Sequence, residues 1–214
     1  MQRPTLLPRA LRRATLIASL ALLALPGAAA AEGEATASAA IDGLHAALLD
    51  VMKNAEALGY EGRAAKLEKV VPHYFDIDFM ARKSLGSHWH KADEAGRRRY
   101  LDKFTQFMIA NYAGRFDGFS GQSFVTRGED SARMDTTIVK STLIDPGGED
   151  VELNYRMREV EGEWKIIDVY LDGTVSELAL RRSEFVSIVK REDLEALLVA
   201  LDAKIAKLAK GEES

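Results

Sequence analysis

Apolar residues recur at helical spacing near the start of the chain. In the first predicted helix they continue up to Gly59, at positions Ile41, Leu44, Leu48, Val51, Ala55 and Leu58. Residues 64–71 predict a second helix. We expect Pro72 to end it, because the residue before a proline disfavours the helical conformation.

The next two predicted helices have recognisable ends. Asp76 can cap a helix that carries Phe79 and Met80 and stops at residues 85–86, where glycine stands in the usual position after the last turn. A long helix is predicted over residues 93–116. The first half of the chain is therefore helical.

β-Branched residues and turn signals replace the helical period from Gln122 onward. Four strands are predicted, over residues 123–127, 134–144, 151–158 and 164–171. The third alternates apolar and polar side chains, which indicates one buried and one solvated face. Turn sequences join the later strands, Asp-Pro-Gly-Gly at 145–148 and Glu-Gly-Glu at 161–163. The four strands are therefore predicted to form an antiparallel meander, in which the first strand has the weakest β pattern.

A final helical region follows the sheet. Thr174 and Glu177 have the spacing of a capping box, and apolar residues then recur at helical spacing as far as Leu208. Helices, then a sheet, then helices, without alternating βαβ units, predict the α+β class. Without an internal repeat or a second hydrophobic unit, residues 32–214 are expected to form one domain.

Residues 1–31 have the layout of a cleaved signal peptide. Four arginines precede an apolar run at residues 14–25, and Pro26 and Gly27 separate that run from four alanines. The run is shorter than the roughly twenty residues that span a bilayer. An uncleaved anchor is the alternative. We expect cleavage and a periplasmic protein.

Charge and composition narrow the possible partners. Residues 32–214 keep all 33 acidic side chains and lose four of the 29 basic ones, which leaves a net charge of −8. Such acidity disfavours nucleic acid, whose binding depends on neutralising phosphates. The chain has no cysteine, which excludes disulfides, thiol nucleophiles and cysteine-ligated metals.

One polar cluster could belong to a metal-dependent hydrolase. His73, Asp76, Asp78, His88 and His90 fall within eighteen residues, in a segment whose histidine pair is predicted to lie in a loop. Their spacing matches no diagnostic metal motif. Nucleophile elbows and phosphate-binding glycine loops are also missing from the sequence. Capping and packing roles are favoured, and we predict no catalytic residue, metal or cofactor.

Aromatic side chains concentrate in the long predicted helix and just beyond it. Six of the sixteen fall within twenty residues, namely Tyr100, Phe104, Phe107, Tyr112, Phe116 and Phe119. They can form an ordinary core against the sheet. They can equally line a pocket for an apolar ligand.

Short motifs spread over residues 71–208 carry a family resemblance. They include Phe75-Asp76, Phe79-Met80-Ala81, Leu85-Gly86, Trp89, Thr-Leu-Ile-Asp-Pro-Gly-Gly at 142–148, Trp-Lys-Ile-Ile-Asp-Val at 164–169, Asp172-Gly173 and Arg-Ser-Glu-Phe at 182–185. In order and spacing they resemble the MlaC family, the periplasmic lipid-binding proteins of bacterial retrograde lipid transport, also known as toluene-tolerance proteins. The stretch from Asp168 to Phe185 is most similar to the hopanoid-associated HpnM branch.

The resemblance implies helices packed around a twisted four-stranded antiparallel sheet that encloses an apolar lipid pocket. The residues expected to face that pocket are Phe79, Trp89, Phe104, Phe107, Met108, Tyr112, Leu153, Tyr155, Trp164, Ile166, Val175 and Phe185. Three basic residues, Arg181, Arg182 and Lys190, are the candidates for contacting a polar headgroup.

The function implied is that of a non-enzymatic lipid carrier. At roughly 0.8 kcal/mol per methylene, exposing a sixteen-carbon chain to water costs about 12 kcal/mol, so a lipid needs an escort between membranes. The cargo would be a phospholipid or a hopanoid. The partners would be a membrane-anchored MCE-domain protein with its ABC transporter, or an RND-type exporter, together with an outer-membrane complex. The alternatives are a cargo-free structural adaptor and the metal-dependent hydrolase.

Overall fold

Seven helices and five strands follow one another along residues 36–212, the part of the chain that the structure, a computed structural model, describes. The helices are α1 (Ala37–Lys53), α2 (Ala55–Tyr74), α3 (Ile77–Leu85), α4 (His88–Lys91), α5 (Glu94–Arg115), α6 (Glu177–Arg191) and α7 (Leu194–Ala209). The strands are β1 (Ser123–Ala132), β2 (Thr136–Ile144), β3 (Val151–Val160), β4 (Glu163–Leu171) and β5 (Val175–Ser176). The predicted signal peptide, residues 1–31, lies outside the described residues.

The first two helices divide differently from the prediction. α1 ends at Lys53, and α2 begins directly after Asn54. Gly59 does not end a helix but forms a kink within α2, with φ 58° and ψ −176°. Pro72 lies inside α2, which continues to Tyr74. Pro72 has no backbone amide to donate, so it removes one hydrogen bond from the last turn of α2 without ending the helix.

Side-chain caps set the starts of several helices. Asp76 caps α3 and Asp93 caps α5, as their positions in the sequence predict. The predicted capping box of α6 is wrong. Ser176, not Thr174, is the cap, and its hydroxyl accepts a hydrogen bond from the amide of Ala179 at 3.0 Å. The reason is that residues 175 and 176 pair with β4 as a strand, which delays the start of the helix.

The strands form one antiparallel sheet in the order β1-β2-β3-β4-β5, one strand more than predicted. The extra strand, β5, is only two residues long. A bulge interrupts the pairing of β3 with β4, where Met157 pairs with Ile166 but Arg156 pairs with Asp168. Ile167 is therefore an extra residue, and the alternation of faces along β4 shifts by one position.

The apolar core lies between the helices and one face of the sheet. α5 packs against α2, α3 and α7, while α1 covers β1, β2 and β4. Phe104 and Phe107 of α5 are fully buried beside Phe185 of α6, with ring centroids 6.5 and 6.0 Å from it. Phe119, from the same aromatic window of the sequence, lies outside this core and is 43% exposed. Among residues 36–212, no helix is long and apolar enough to cross a bilayer.

Candidate functional site

An apolar cavity of about 80 Å³ lies between α5, the inner face of the sheet and the start of α6. Residues of five elements, together with the residue that follows α5, line it: Met80 (α3); Phe104, Phe107, Met108, Asn111, Tyr112 and Arg115 (α5); Phe116; Leu153 and Tyr155 (β3); Val169 and Leu171 (β4); Glu177, Leu178 and Arg181 (α6). The α5 residues are spaced by one, three or four positions and so share one helical face. The strand residues alternate, as one face of a sheet requires.

Aromatic rings make up much of the wall. Tyr112 stacks on Phe116 with ring centroids 5.6 Å apart and meets Phe75 edge-on at 5.3 Å. Burial raises the pKa of Tyr112 well above its ordinary value and does the same for Tyr155. Both phenols are therefore neutral at physiological pH. The wall suits hydrocarbon better than an ion.

Charged groups collect at one end of the cavity, where the side chain of Arg115 is about half exposed. Glu177 lies 3.7 Å from Arg115 and 3.4 Å from Arg181. Arg181 also approaches Glu184 at 3.7 Å, and its guanidinium lies over the ring of Phe107, 5.1 Å from the centroid. These long contacts form a loose ionic bridge between the end of α5 and the start of α6. We call it the polar rim of the cavity.

Asn111 is the one polar lining residue between the apolar wall and the polar rim. Its side chain is buried, and its Oδ1 has no hydrogen-bond partner among residues 36–212. Leaving such an atom unsatisfied costs about 1–3 kcal/mol. A polar atom at this depth can meet a hydrogen-bonding group of a bound ligand.

Six of the twelve residues predicted to face a pocket line this cavity: Phe104, Phe107, Met108, Tyr112, Leu153 and Tyr155. The structure places the other six elsewhere. Phe185 and Ile166 are buried in the core, and Trp164 is half-buried at the start of β4. Phe79 lines hollows on the outside of the molecule, and Val175 is exposed. Trp89 is buried with its ring edge-on to Tyr100, and it borders one of those outer hollows.

Of the three basic residues proposed for a headgroup, only Arg181 lines the cavity. Arg182, the next residue of α6, faces an outer hollow instead. Lys190 lies about two turns further along the same helix and is exposed.

Seven lining residues were not predicted: Met80, Asn111, Arg115, Val169, Leu171, Glu177 and Leu178. Phe116, an eighth, belongs to the aromatic window of the sequence but was not among the twelve residues expected to face the pocket. The helical period through Phe104 and Met108 could have found Asn111 and Arg115, which share their face. Val169 and Leu171 were missed because of the bulge in β4. Strict alternation from Ile166 predicts that positions 168 and 170 share its face, and the extra residue shifts that pattern by one.

The polar cluster considered as a metal site is dispersed. Asp76 caps α3 and accepts a hydrogen bond from Nε of Arg158 at 2.7 Å, while Asp78 pairs with Arg82. His88 and His90 belong to the one-turn helix α4, not to the predicted loop, because the chain makes one more helical turn after Gly86. Within the described range, no group of three His, Asp or Glu side chains could hold a metal ion.

Comparison with known proteins supports the fold. Residues 43–203 match the family model of the MlaC protein. One similar solved structure is a phospholipid-binding protein from Ralstonia solanacearum in complex with a phospholipid; the two chains are 23% identical, the match covers 84% of this chain and 99% of that one, and the TM-score is 0.68. No curated protein matches the chain. Because the family model covers most of the chain, the protein belongs to the MlaC family.

Proposed function

We propose that this protein is a periplasmic carrier that holds the apolar tails of a phospholipid or hopanoid in the cavity between α5 and the sheet. The observation that carries the proposal is the cavity itself, an apolar space bounded at one end by two arginines. The Ralstonia protein of similar fold holds a phospholipid, which supports the same use here. The signal-peptide layout of residues 1–31 supports export.

The polar rim is suited to a headgroup. Arg115 and Arg181 can donate hydrogen bonds to phosphate oxygens, and Arg181 is held in place over Phe107. Asn111 lines the cavity one helical turn before Arg115, and its unpaired Oδ1 is an acceptor, so a hydroxyl of the lipid can satisfy it while an ester oxygen cannot. The phosphate would displace Glu177 from one or both of its arginine partners.

Loading requires the cavity to widen. Its volume of about 80 Å³ is well below the roughly 300–1,000 Å³ of ordinary ligand pockets. α6 packs on α3, α7 and β4, while its first turn meets the end of α5 through the polar rim. We propose that the start of α6 moves away from α5 when lipid enters.

Delivery would follow from transient contact with membrane complexes, an MCE-domain protein with its ABC transporter or an RND-type exporter on one side and an outer-membrane complex on the other. No chemical step is required of the protein. A cargo-free adaptor is the second candidate, and the small volume of the cavity favours it.

The test is lipid content after purification from the periplasm. Native mass spectrometry of the purified protein should show an adduct of lipid mass near one per chain, and extraction should identify the lipid. Leu171→Trp places a large ring in the cavity and should reduce the adduct at least severalfold. Leu180→Trp, which introduces the same ring at an exposed position of α6, should keep it.

A protein that carries no adduct, and acquires none from lipid vesicles, would exclude the carrier and leave the adaptor. Equal lipid content in the two tryptophan variants would place the lipid outside this cavity. Circular dichroism spectra of both variants establish that they remain folded.

A further inference from the structure

A basic groove lies on the outside of the molecule, separate from the lipid cavity. It consists of two adjoining hollows of about 420 and 580 Å³, between α3, the start of α6 and the outer face of β3 and β4. Phe79, Lys83, Arg158 and Arg182 line both hollows and so form the centre of the groove.

The groove is positive although the chain as a whole is negative. Five cationic side chains line it, Arg82, Lys83, Arg156, Arg158 and Arg182, against two acidic ones, Asp78 and Asp168. The local excess is three positive charges, in a chain with a net charge of −4. An anionic ligand is the complement of such a surface.

The two acids are already engaged within the fold. Asp78 pairs with Arg82. Asp168 accepts hydrogen bonds from the hydroxyl of Ser176 at 2.6 Å and from the amide of Leu178 at 3.1 Å. At the centre of the groove, Arg158 is also paired, with Asp76, so the uncompensated charge there is that of Lys83 and Arg182.

Two of the cations are free to bind a ligand. Within residues 36–212, neither Lys83 nor Arg182 has a carboxylate at salt-bridge distance, and Arg182 makes no hydrogen bond. Gly86 lies against Arg182, and a Cβ at position 86 would come within 3.0 Å of its Nη2. The glycine thus leaves room for the guanidinium beside the backbone.

Apolar groups accompany the charges. The ring of Phe79 lies between two cations, 5.2 Å from Nζ of Lys83 and 4.6 Å from Cζ of Arg158. Met134, at the tip of the β1–β2 hairpin, lines the groove and is 80% exposed, with φ 60°. A large exposed apolar side chain beside basic residues is typical of surfaces that meet the headgroup layer of a membrane.

We propose that the basic groove binds the phosphate group of an anionic phospholipid at a bilayer surface, with Lys83 and Arg182 as its main ligands. Arginine offers a planar fork of donors to phosphate oxygens, and lysine adds a point charge. Met134 would enter the headgroup layer beside them. Leu178 lines both the groove and the cavity, so the bound surface would lie one side chain away from the site of the tails.

Vesicle co-sedimentation tests the proposal with the intact purified protein. It should bind vesicles of equimolar phosphatidylcholine and phosphatidylglycerol, bind phosphatidylcholine vesicles weakly, and dissociate as salt is raised. The double variant Lys83→Gln, Arg182→Gln removes both free cations and should bind the anionic vesicles about thirtyfold more weakly. The reason is that each basic residue near such a surface strengthens binding about fivefold.

The matched control removes the same charge elsewhere. Lys69→Gln with Lys207→Gln changes two exposed lysines of α2 and α7 and should bind nearly as the parent does. Equal binding by the two double variants, or no preference of the parent for anionic vesicles, would overturn the proposal. Binding of inorganic phosphate or of an acidic protein through Lys83 and Arg182, with no effect on vesicles, would also overturn it.

Vesicle binding through the basic groove does not depend on lipid binding in the cavity, so failure of either proposal gives a different result. The Lys83→Gln, Arg182→Gln protein should keep its lipid adduct in native mass spectra while losing vesicle binding. The Leu171→Trp protein should lose most of its lipid adduct while keeping its vesicle binding.

Discussion

At the scale of single residues, His45 is a titratable group enclosed between α1 and the sheet. Its Nε2 lies 3.2 Å from the hydroxyl of Tyr155, and its ring stacks on Phe124 at a centroid distance of 4.1 Å. Burial lowers its pKa to about 4, against a smaller opposite effect of Asp42. The imidazole is therefore neutral in the folded protein at physiological pH.

This histidine should make the protein less stable in acid. The unfolded chain protonates His45 below about pH 6.5 and the folded chain only near pH 4, so the unfolded state binds more protons between these values. We expect the free energy of unfolding to lose about 2 kcal/mol from this group between pH 7 and pH 5. Urea unfolding at the two pH values measures it.

His45→Gln keeps a polar group near Tyr155 without a titrating ring and should remove this part of the pH dependence. His73→Gln, which removes an exposed imidazole, is the control and should retain it. If both variants follow the parent's pH dependence, His45 does not cause it.

At the scale of secondary-structure elements, the kink in α2 depends on one backbone conformation. Gly59 adopts φ 58° and ψ −176°, a region that residues with a side chain rarely occupy. A Cβ built there would meet nothing within 4 Å. Any cost of a side chain at this position is therefore conformational, not steric.

Gly59→Ala should lower the free energy of unfolding by about 1–3 kcal/mol, because alanine must either adopt the strained conformation or straighten the kink. Gly118→Ala is the matched control, since a Cβ there also has open space but the backbone has an ordinary φ. Urea unfolding compares the two variants. Equal stability would show that α2 can realign without loss.

At the scale of the whole molecule, the lipid uptake that we propose requires the end of α5 and the start of α6 to separate. The polar rim is the contact that joins them outside the apolar wall, through Glu177 between Arg115 and Arg181. The pair that joins the two helices, Arg115 with Glu177, is 3.7 Å apart, which is long for a charge-assisted hydrogen bond. The contact can therefore open at modest cost.

Glu177→Gln should speed lipid exchange two- to fivefold, because the pair that joins the two helices, Glu177 with the half-exposed Arg115, is long and contributes at most about 1 kcal/mol to the closed arrangement. Transfer of a fluorescent phospholipid between protein and vesicles measures the rate. The control is Glu195→Gln, which breaks the exposed pair between Glu195 of α7 and Arg99 of α5. This pair is away from the rim, so the rate should stay unchanged. An unchanged rate in Glu177→Gln would mean that the rim does not limit exchange.

Part of the candidate site was predictable because it follows one period. Phe104, Phe107, Met108 and Tyr112 share one face of α5, and a single helix determines that relation. The wall formed by β4 was not predictable in the same way. A bulge at Ile167 shifts the alternation of faces, and the pairing with β3 that produces it is a non-local interaction.

The α+β class, the order of the elements other than α4 and β5, the caps at Asp76 and Asp93 and the resemblance to the MlaC family all follow from the sequence alone. These features depend on neighbours along the chain or on motifs in order. The contact of Arg115 with Glu177 and the shared groove of Lys83 and Arg182 follow only from the folded structure, because these residues are far apart in the sequence. The distinction between a lined cavity and a filled core was also left to the folded structure, because both use the same apolar side chains at the same spacing.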